Sequence, residues 1–354
     1  MFSEKSFRFK KFIPFLLIGL VIFILYLFFF VGVADIVQSL QRANLFYYSL
    51  AFVAVVLGML FYSLAWQSLL RPISEKKTPL SKFFLIAWIG DFVDILVPAE
   101  SISGEVSKAY LMSKSSGDDI GKVVASIVSH RILSMAVTIG SLIAGLLLFI
   151  PKYELPKPAL NLIILVTSGV VISLLFLCLL IIRERITQRI LDPILRLLAF
   201  LSKGRWSLPR LRANVHKALV VFRDGIQTLS ENPKNLAKPI LFSIASWFFS
   251  VMISFLVFAS LDIFVPISIL MIVYSIGSAI QTIPLGVPGE VGLTEIVMIN
   301  SYVLLGVPLS VSAANAAAAT VLIRIATILF KVIVGYVAFQ WFGIKVLVSS
   351  FPKS

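Results

Sequence analysis

Pro98-Ala-Glu-Ser-Ile-Ser-Gly104-Glu105-Val106 and Pro284-Leu-Gly286-Val-Pro288-Gly289-Glu290-Val291 carry the same short phrase in two distant parts of one chain. Each phrase closes an apolar run too short or too broken to cross a bilayer cleanly. Each is followed by a long apolar stretch with an arginine inside it, Arg131 in Ala125-Ser-Ile-Val-Ser-His-Arg-Ile and Arg324 in Ala318-Ala-Thr-Val-Leu-Ile-Arg-Ile. The repeated order is therefore proline, Gly-Glu-Val, arginine. Apolar segments interrupted by Pro and Gly at matching places in two halves of a membrane protein point to a binding site near the bilayer midplane.

Composition agrees with that setting. Of the 354 residues 59% are hydrophobic and 14% charged, and the mean hydropathy is +1.01, far from soluble-domain values. Lys and Arg outnumber Asp and Glu by 31 to 17. Because these cations flank apolar spans, the excess reads as the positive-inside rule and contact with anionic lipid, and nucleic acid is not an expected partner. The single cysteine, Cys178, and two histidines, His130 and His216, offer no Cys/His metal cluster, so no metal or cofactor is expected.

Runs of about 20 apolar residues, the length needed to span, occur at Ile13–Val33, Tyr47–Leu70, Val123–Ile150, Ala159–Ile182, Ile240–Leu261 and Ser310–Trp341. The first follows Lys5, Arg8, Lys10 and Lys11 as a signal peptide would, but it is longer than a signal core of about 7–15 residues and reads as a retained span. Two further regions fit less well. Phe83–Val97 is short, contains Asp91 and Asp94 and ends at Pro98, and Ile267–Leu305 is cut by Pro284 to Gly292.

Lys and Arg in the N-terminus, in the loop holding Arg71, Lys76, Lys77 and Lys82, and in the linker 183–238 place all three in the cytoplasm. Segment 83–122 must then enter and leave on the cytoplasmic side, and 267–305 on the outer side. The expected fold is thus an all-α polytopic membrane protein of about six full spans plus two re-entrant broken-helix hairpins, arranged as an inverted repeat. Residues 1–182 form one half, 183–238 a basic interfacial linker and 239–354 the other half. Both termini are expected on the cytoplasmic face of the inner membrane. In the linker, Ile190, Ile194, Leu197, Leu198 and Leu201 lie at helical spacing among arginines, which suits helices along the membrane surface serving as a lipid-facing connector.

These residues resemble a known family, the flippase-like integral-membrane region of lysylphosphatidylglycerol synthases. The resemblance rests on Leu96-Val-Pro98 with Gly104-Glu105 and Lys108-Ala109-Tyr-Leu. It rests more on Ile283-Pro-Leu-Gly286-Val-Pro288-Gly289-Glu-Val-Gly292-Leu-Thr-Glu295, and continues through the Arg324 helix to Gly335. It implies movement of a phospholipid or polyprenyl-lipid head group between leaflets. Bifunctional relatives append a soluble aminoacyl-transferase domain, and a chain ending at Ser354 is expected to lack that activity. Lys108 stands where relatives commonly carry arginine; either cation meets a phosphate, although lysine lacks the bidentate fork.

A charge at bilayer depth costs about 2.5–3.5 kcal/mol or more, so such groups are paired, face a cavity and serve a function. Arg131, Arg324, Lys331 and Lys108 are the candidate phosphate ligands, with Lys331 seven positions beyond Arg324 on one helix face. Glu105, Glu290 and Glu295 are candidate counter-ions, and Asp91 and Asp94 share a face that would line the cavity. The breaks are assigned to Pro98, Gly104, Pro284, Gly286, Pro288, Gly289 and Gly292. Plainer roles stand beside these: Arg131 reaching the interface, Glu105 and Glu290 bracing the hairpins, and the glycines acting as the turn points a broken helix needs.

The sequence reading is a translocase of an anionic phospholipid or polyprenyl-phosphate-linked lipid, working by rocking of the halves and without a Walker-type nucleotide site. Its rivals are an intramembrane enzyme that modifies a lipid head group, with Asp91, Asp94 or Glu105 as base, and a scaffold for a separately encoded transferase. Anionic membrane lipids are the expected partners, with a second copy of the chain or a separate lipid-modifying enzyme left open. In a Cys178→Ser background, single cysteines at Ser101 and Val287 should react with an impermeant maleimide from opposite sides of oriented vesicles. Labelling of both from one side would overturn the opposed hairpins.

Overall fold

The computed structural model describes residues 43–97, 102–182, 208–231, 234–281, 290–306 and 311–343, with isolated positions 41 and 193. Helix α1 spans Leu45–Leu70, α2 Leu80–Leu96, α3 Ile102–Ser116, α4 Ile120–Phe149 and α5 Lys157–Ile182. Next come α6 at Leu208–Glu231, α7 at Lys234–Ser260, α8 at Ile267–Ile280 and α9 at Leu293–Gly306. A final rod joins α10 (Ala313–Arg324), a π-helical turn at Ile325–Leu329, α11 (Phe330–Ala338) and a second π segment at Phe339–Gly343. Among the described residues there is no strand, so the chain is all-α.

Five helices are long and apolar enough to cross a membrane: α1, α4, α5, α7 and the final rod. The expected span at Ile13–Val33 lies outside the described residues. Helix ends differ from the hydropathy reading where polar residues extend a helix. Helix α4 starts at Ile120 and not at Val123, because Asp119 Oδ1 accepts the Gly121 N–H at 2.8 Å and caps it. Helix α7 starts at Lys234, ahead of the apolar run, and carries Pro239 inside it.

Helices α2, α3, α8 and α9 have 17, 15, 14 and 14 residues. At about 1.5 Å per residue each measures roughly 21–25 Å, short of the hydrocarbon thickness of about 30 Å. They pack in two pairs, α2 on α3 and α8 on α9. The first pair is antiparallel. Asp94 Oδ1 accepts from Ser103 Oγ at 2.9 Å at one end, and Lys82 Nζ donates to the Ser115 carbonyl at 2.7 Å at the other. Of the residues expected at the breaks, Pro98, Pro284, Gly286, Pro288 and Gly289 lie outside the described residues.

The two sets of helices invert relative to one another. Helix α1 opens the first set and α7 the second, and they pack along each other in opposite directions. The Asn44 N–H donates to the Ser260 carbonyl at 2.7 Å, and further along Ser246 Oγ donates to the Gly58 carbonyl at 2.9 Å. The other packing partners correspond as well: α1 with α2 and α7 with α8, α3 with α4 and α9 with α10, α1 with α4 and α7 with α10. The sets also interlock, since α2 lies on α11 while α8 lies on α4. Both crossings are made at a glycine. A Cβ on Gly335 would come within 2.5 Å of Phe92 Cβ and 2.6 Å of the Trp88 carbonyl oxygen, and one on Gly145 within 2.9 Å of Ile272 Cγ1.

The linker is not solely the lipid-facing connector expected of it. Helix α6 packs on α4, where a Cβ on Gly225 would meet Ala125 Cβ at 3.0 Å and one on Gly121 the Ala218 carbonyl oxygen at 2.5 Å. Small residues on both helices let them approach, so part of the amphipathic face is covered by protein. The residues that suggested the connector, Ile190 to Leu201, lie outside the described residues.

Gly335→Ala should lower thermal stability in detergent by about 1–3 kcal/mol, the usual cost of overpacking. Gly140→Ala, where an added Cβ meets nothing, should be neutral or stabilising by about 0.5–1 kcal/mol. Equal effects at both positions would refute the close crossing.

Candidate functional site

The ends of both short pairs turn into one internal cavity of about 420 Å³, within the range of small-molecule sites. Asp91 and Asp94 reach it from α2, Gln281 and Glu290 from either side of the second break, and Arg324 and Lys331 from the final rod. A second hollow of about 170 Å³ holds Glu105 and Arg131 and also reaches Gln281. Tyr62 and His130 line both. Of the charged residues expected from the sequence, Asp91, Asp94, Glu105, Glu290, Arg131, Arg324 and Lys331 line these two hollows, while Lys108 and Glu295 line neither and are buried behind them.

They divide into two clusters. In the first, Lys108 of α3 is buried, its stem laid across Gly90, where any Cβ would lie 2.3 Å from Lys108 Cε. Lys108 Nζ donates to Tyr62 Oη at 2.9 Å and stands 3.5 Å from Asp91 Oδ1 and 3.7 Å from Glu105 Oε1. The other oxygen of Asp91 accepts from Lys331 Nζ at 2.9 Å. One carboxylate therefore joins a cation from each set of helices. Such closeness is what burial demands, since unpaired charge away from water costs several kcal/mol.

The second cluster stands seven residues earlier on the rod, across the π turn. Arg324 Nε donates to Glu295 Oε1, and the Arg324 and Glu295 side chains are 11% and 3% exposed. Glu295 Oε2 accepts the Gly292 N–H at 2.6 Å, so one carboxylate caps the start of α9 and anchors the arginine. Gly292 has φ +99° and Glu290 φ +52°, so the chain turns through left-handed geometry as it enters α9. Glu290 is buried and its Oε2 accepts from Thr294 Oγ1 at 3.1 Å.

The remaining expected residues have plainer surroundings. Asp94 accepts from Ser103 Oγ and from the Gly104 N–H at 3.2 Å, holding the two arms of the first pair together. Gly104 lies in the first turn of α3, where a Cβ would meet the Gly90 carbonyl oxygen at 2.7 Å, so it serves close contact between the arms. Arg131 is half-buried beside the second hollow and makes no ion pair among the described residues.

Sequence reasoning missed two features. The π turn at Ile325–Leu329 falls between Arg324 and Lys331, yet Arg324, Thr327, Ile328 and Lys331 all reach the cavity; wide turns of this kind recur at functional sites. Ser243, Ser246, Trp247, Ser250 and Ser254 form a polar stripe down α7 that lines the same cavity. Their spacing of three and four was visible in the sequence, but serines inside an apolar run pass for helix-packing residues.

The fold and this site define a multi-pass helical membrane protein with two inverted broken helix pairs closing on a charged cavity. The chain belongs to the family described as the lysylphosphatidylglycerol synthase TM region, whose model matches residues 16–335. Among similar proteins, a UPF0104 membrane protein of Methanothermobacter thermautotrophicus is 22% identical over 338 residues, covering 94% of this chain and 93% of its own. A second from the same organism is 25% identical over 322 residues, covering 89% and 91%. One from Pyrococcus horikoshii is 23% identical over 289 residues, covering 80% and 84%.

Glu295→Gln should destabilise the protein by about 3–5 kcal/mol, because it removes the carboxylate charge that faces a largely buried guanidinium. Combining it with Arg324→Met should recover much of that loss in a thermal-unfolding cycle. Additive losses would refute the pair.

Proposed function

We propose that this protein carries an anionic lipid, a phospholipid or a polyprenyl-phosphate-linked lipid, between the leaflets of the cell membrane. The observation that supports this reading is the placement of two ion-paired clusters, around Arg324 and around Lys331 seven residues on, at one cavity in the membrane-spanning bundle. At rest the cations of the two clusters are held by carboxylates: Lys331 and Lys108 by Asp91, and Arg324 by Glu295. A phosphate entering the cavity exchanges one partner for another, and the charge is never left bare in a low-dielectric interior.

Arg324 presents a planar fork suited to two phosphate oxygens, while Lys331 acts as a mobile point charge. A head group passes from one cluster to the other while its tails remain in lipid. The inverted pairing of α1 with α7 gives the two sets of helices equivalent roles at opposite faces, as alternating access requires.

Reconstituted protein with Arg324→Ala should lose at least about 90% of the translocation of a tail-labelled anionic phospholipid, as expected for loss of a charge-assisted contact of about 1.5–3 kcal/mol. Because Arg324→Ala leaves the buried Glu295 carboxylate without its cation, the same loss of flux is sought in Glu295→Gln/Arg324→Met, in which expression and monodispersity should persist. Undiminished flux in folded protein would refute the cavity route.

A further inference from the structure

Of the carboxyls in and around the two hollows, Glu105 alone accepts no hydrogen bond among the described residues. Its Oε2 is buried without a partner, and its Oε1 stands 3.7 Å from Lys108 Nζ, beyond bonding distance. The others are held: Asp91 by Lys331, Asp94 by Ser103 and Gly104, Glu290 by Thr294, and Glu295 by Gly292 and Arg324. A carboxylate without donors gains least from its charge, so it is the one that takes a proton at the smallest cost. The Glu105 side chain lines the second hollow and is 25% exposed, which leaves the carboxyl open to exchange there.

The charge of the interior gives such a proton a use. Among the described residues at the two hollows and their ion-pair partners, Asp91, Asp94, Glu105, Glu290 and Glu295 stand against Lys108, Arg131, Arg324 and Lys331. With every group ionised the carboxylates exceed the cations by one. His130 adds nothing to this count, since an imidazolium there would stand near both Lys108 and Arg131. A lipid phosphate brings a further negative charge into a medium that screens poorly, and a buried group relieves such an excess by taking a proton. One proton taken up with each phosphodiester returns the interior to its resting charge.

We infer that Glu105 binds a proton when the cavity binds a lipid anion, and that the two cross the membrane together. The ion pairs of the first cluster link the two events. A phosphate on Lys331 competes with Asp91 Oδ2; the released Asp91 draws in Lys108, now 3.5 Å from its Oδ1, and Lys108 in closing on Asp91 leaves Glu105. The Glu105 carboxylate then accepts a proton from water at the face to which the cavity is open. It returns that proton to water at the opposite face when the lipid departs and Lys108 moves back. The charged and titratable groups acting on Glu105 are Lys108 on its own helix, Asp91 and Asp94 of α2, Arg131 of α4 and Tyr62 of α1. The two aspartates favour the proton and the two cations oppose it, so withdrawal of Lys108 tips the balance. Ionisable groups placed in this way inside a membrane bundle serve as proton relays.

The inference rests on the transport reading, and one experiment separates them. Tail-labelled phosphatidylglycerol, starting in the leaflet on the acid side, is followed in proteoliposomes of the full chain across a pH step, with the membrane potential clamped at zero. Protein-free vesicles under the same step give the baseline. Above that baseline the label should pass equality and gather in the leaflet on the alkaline side, towards about tenfold for a step of about one unit and one proton per lipid. A membrane potential imposed at equal pH should leave the leaflets level. In Glu105→Gln, where Lys108 keeps Asp91 and Tyr62, the label should not pass equality, whereas Glu105→Asp should keep the bias. Label that only evens out in the unaltered protein, a bias driven by potential alone, or a bias that survives Glu105→Gln or is lost in Glu105→Asp overturns the proton assignment and leaves translocation standing. No movement above the baseline in the unaltered protein overturns both.

Discussion

The carboxylate of Asp91, shared by Lys108 from one set of helices and Lys331 from the other, is the contact on which the interior depends. Without it two ammonium groups would face each other across a medium that screens poorly. Its presence explains several features at once. Gly90 must lack a side chain so that the Lys108 stem can cross α2, and Gly104 must be small so that α3 comes near enough to deliver it. Tyr62 then closes the shell with its hydroxyl and with its ring, 4.9 Å from the ammonium.

The second cluster solves the same problem differently. Glu295 is the acceptor for Arg324 and also the cap of its own helix, so the carboxylate is oriented by backbone before the arginine meets it. Fixing a partner in advance reduces the ordering cost of an ion pair and makes the geometry specific. The first cluster has a shared, three-sided arrangement with longer contacts of 3.5 and 3.7 Å. One cluster is anchored through a helix cap, and the other is a hub in which one carboxylate serves cations from both sets of helices.

The fold was legible because its signals are local and strong. Apolar runs gave α1, α4, α5 and α7, and Pro98 and Pro284 to Gly292 gave the two interruptions. Charge near the apolar stretches pointed to Arg131, Arg324, Lys331 and Lys108 as cations and to Glu105, Glu290, Glu295, Asp91 and Asp94 as their surroundings. The partnerships were not legible, because each depends on contacts between segments remote in the chain. Glu105, Glu290 and Glu295 looked equivalent, and only three-dimensional placement gives Arg324 to Glu295 while Glu290 meets Thr294. Helix α6 on α4 and the π turn before Lys331 arise from packing at small residues and from local helix widening, which leave little trace in hydropathy.

The interlocking of α2 with α11 has a consequence for how the chain is made. Helix α2 enters the membrane with Asp91 aboard long before its partner Lys331 is synthesised 240 residues later. In the interval Lys108, only a short hairpin away, is the cation at hand, so the early half carries its own temporary neutraliser. Arrival of the last helix then adds a second cation to a carboxylate already in place, and the order of synthesis becomes the order in which the electrostatic core is completed.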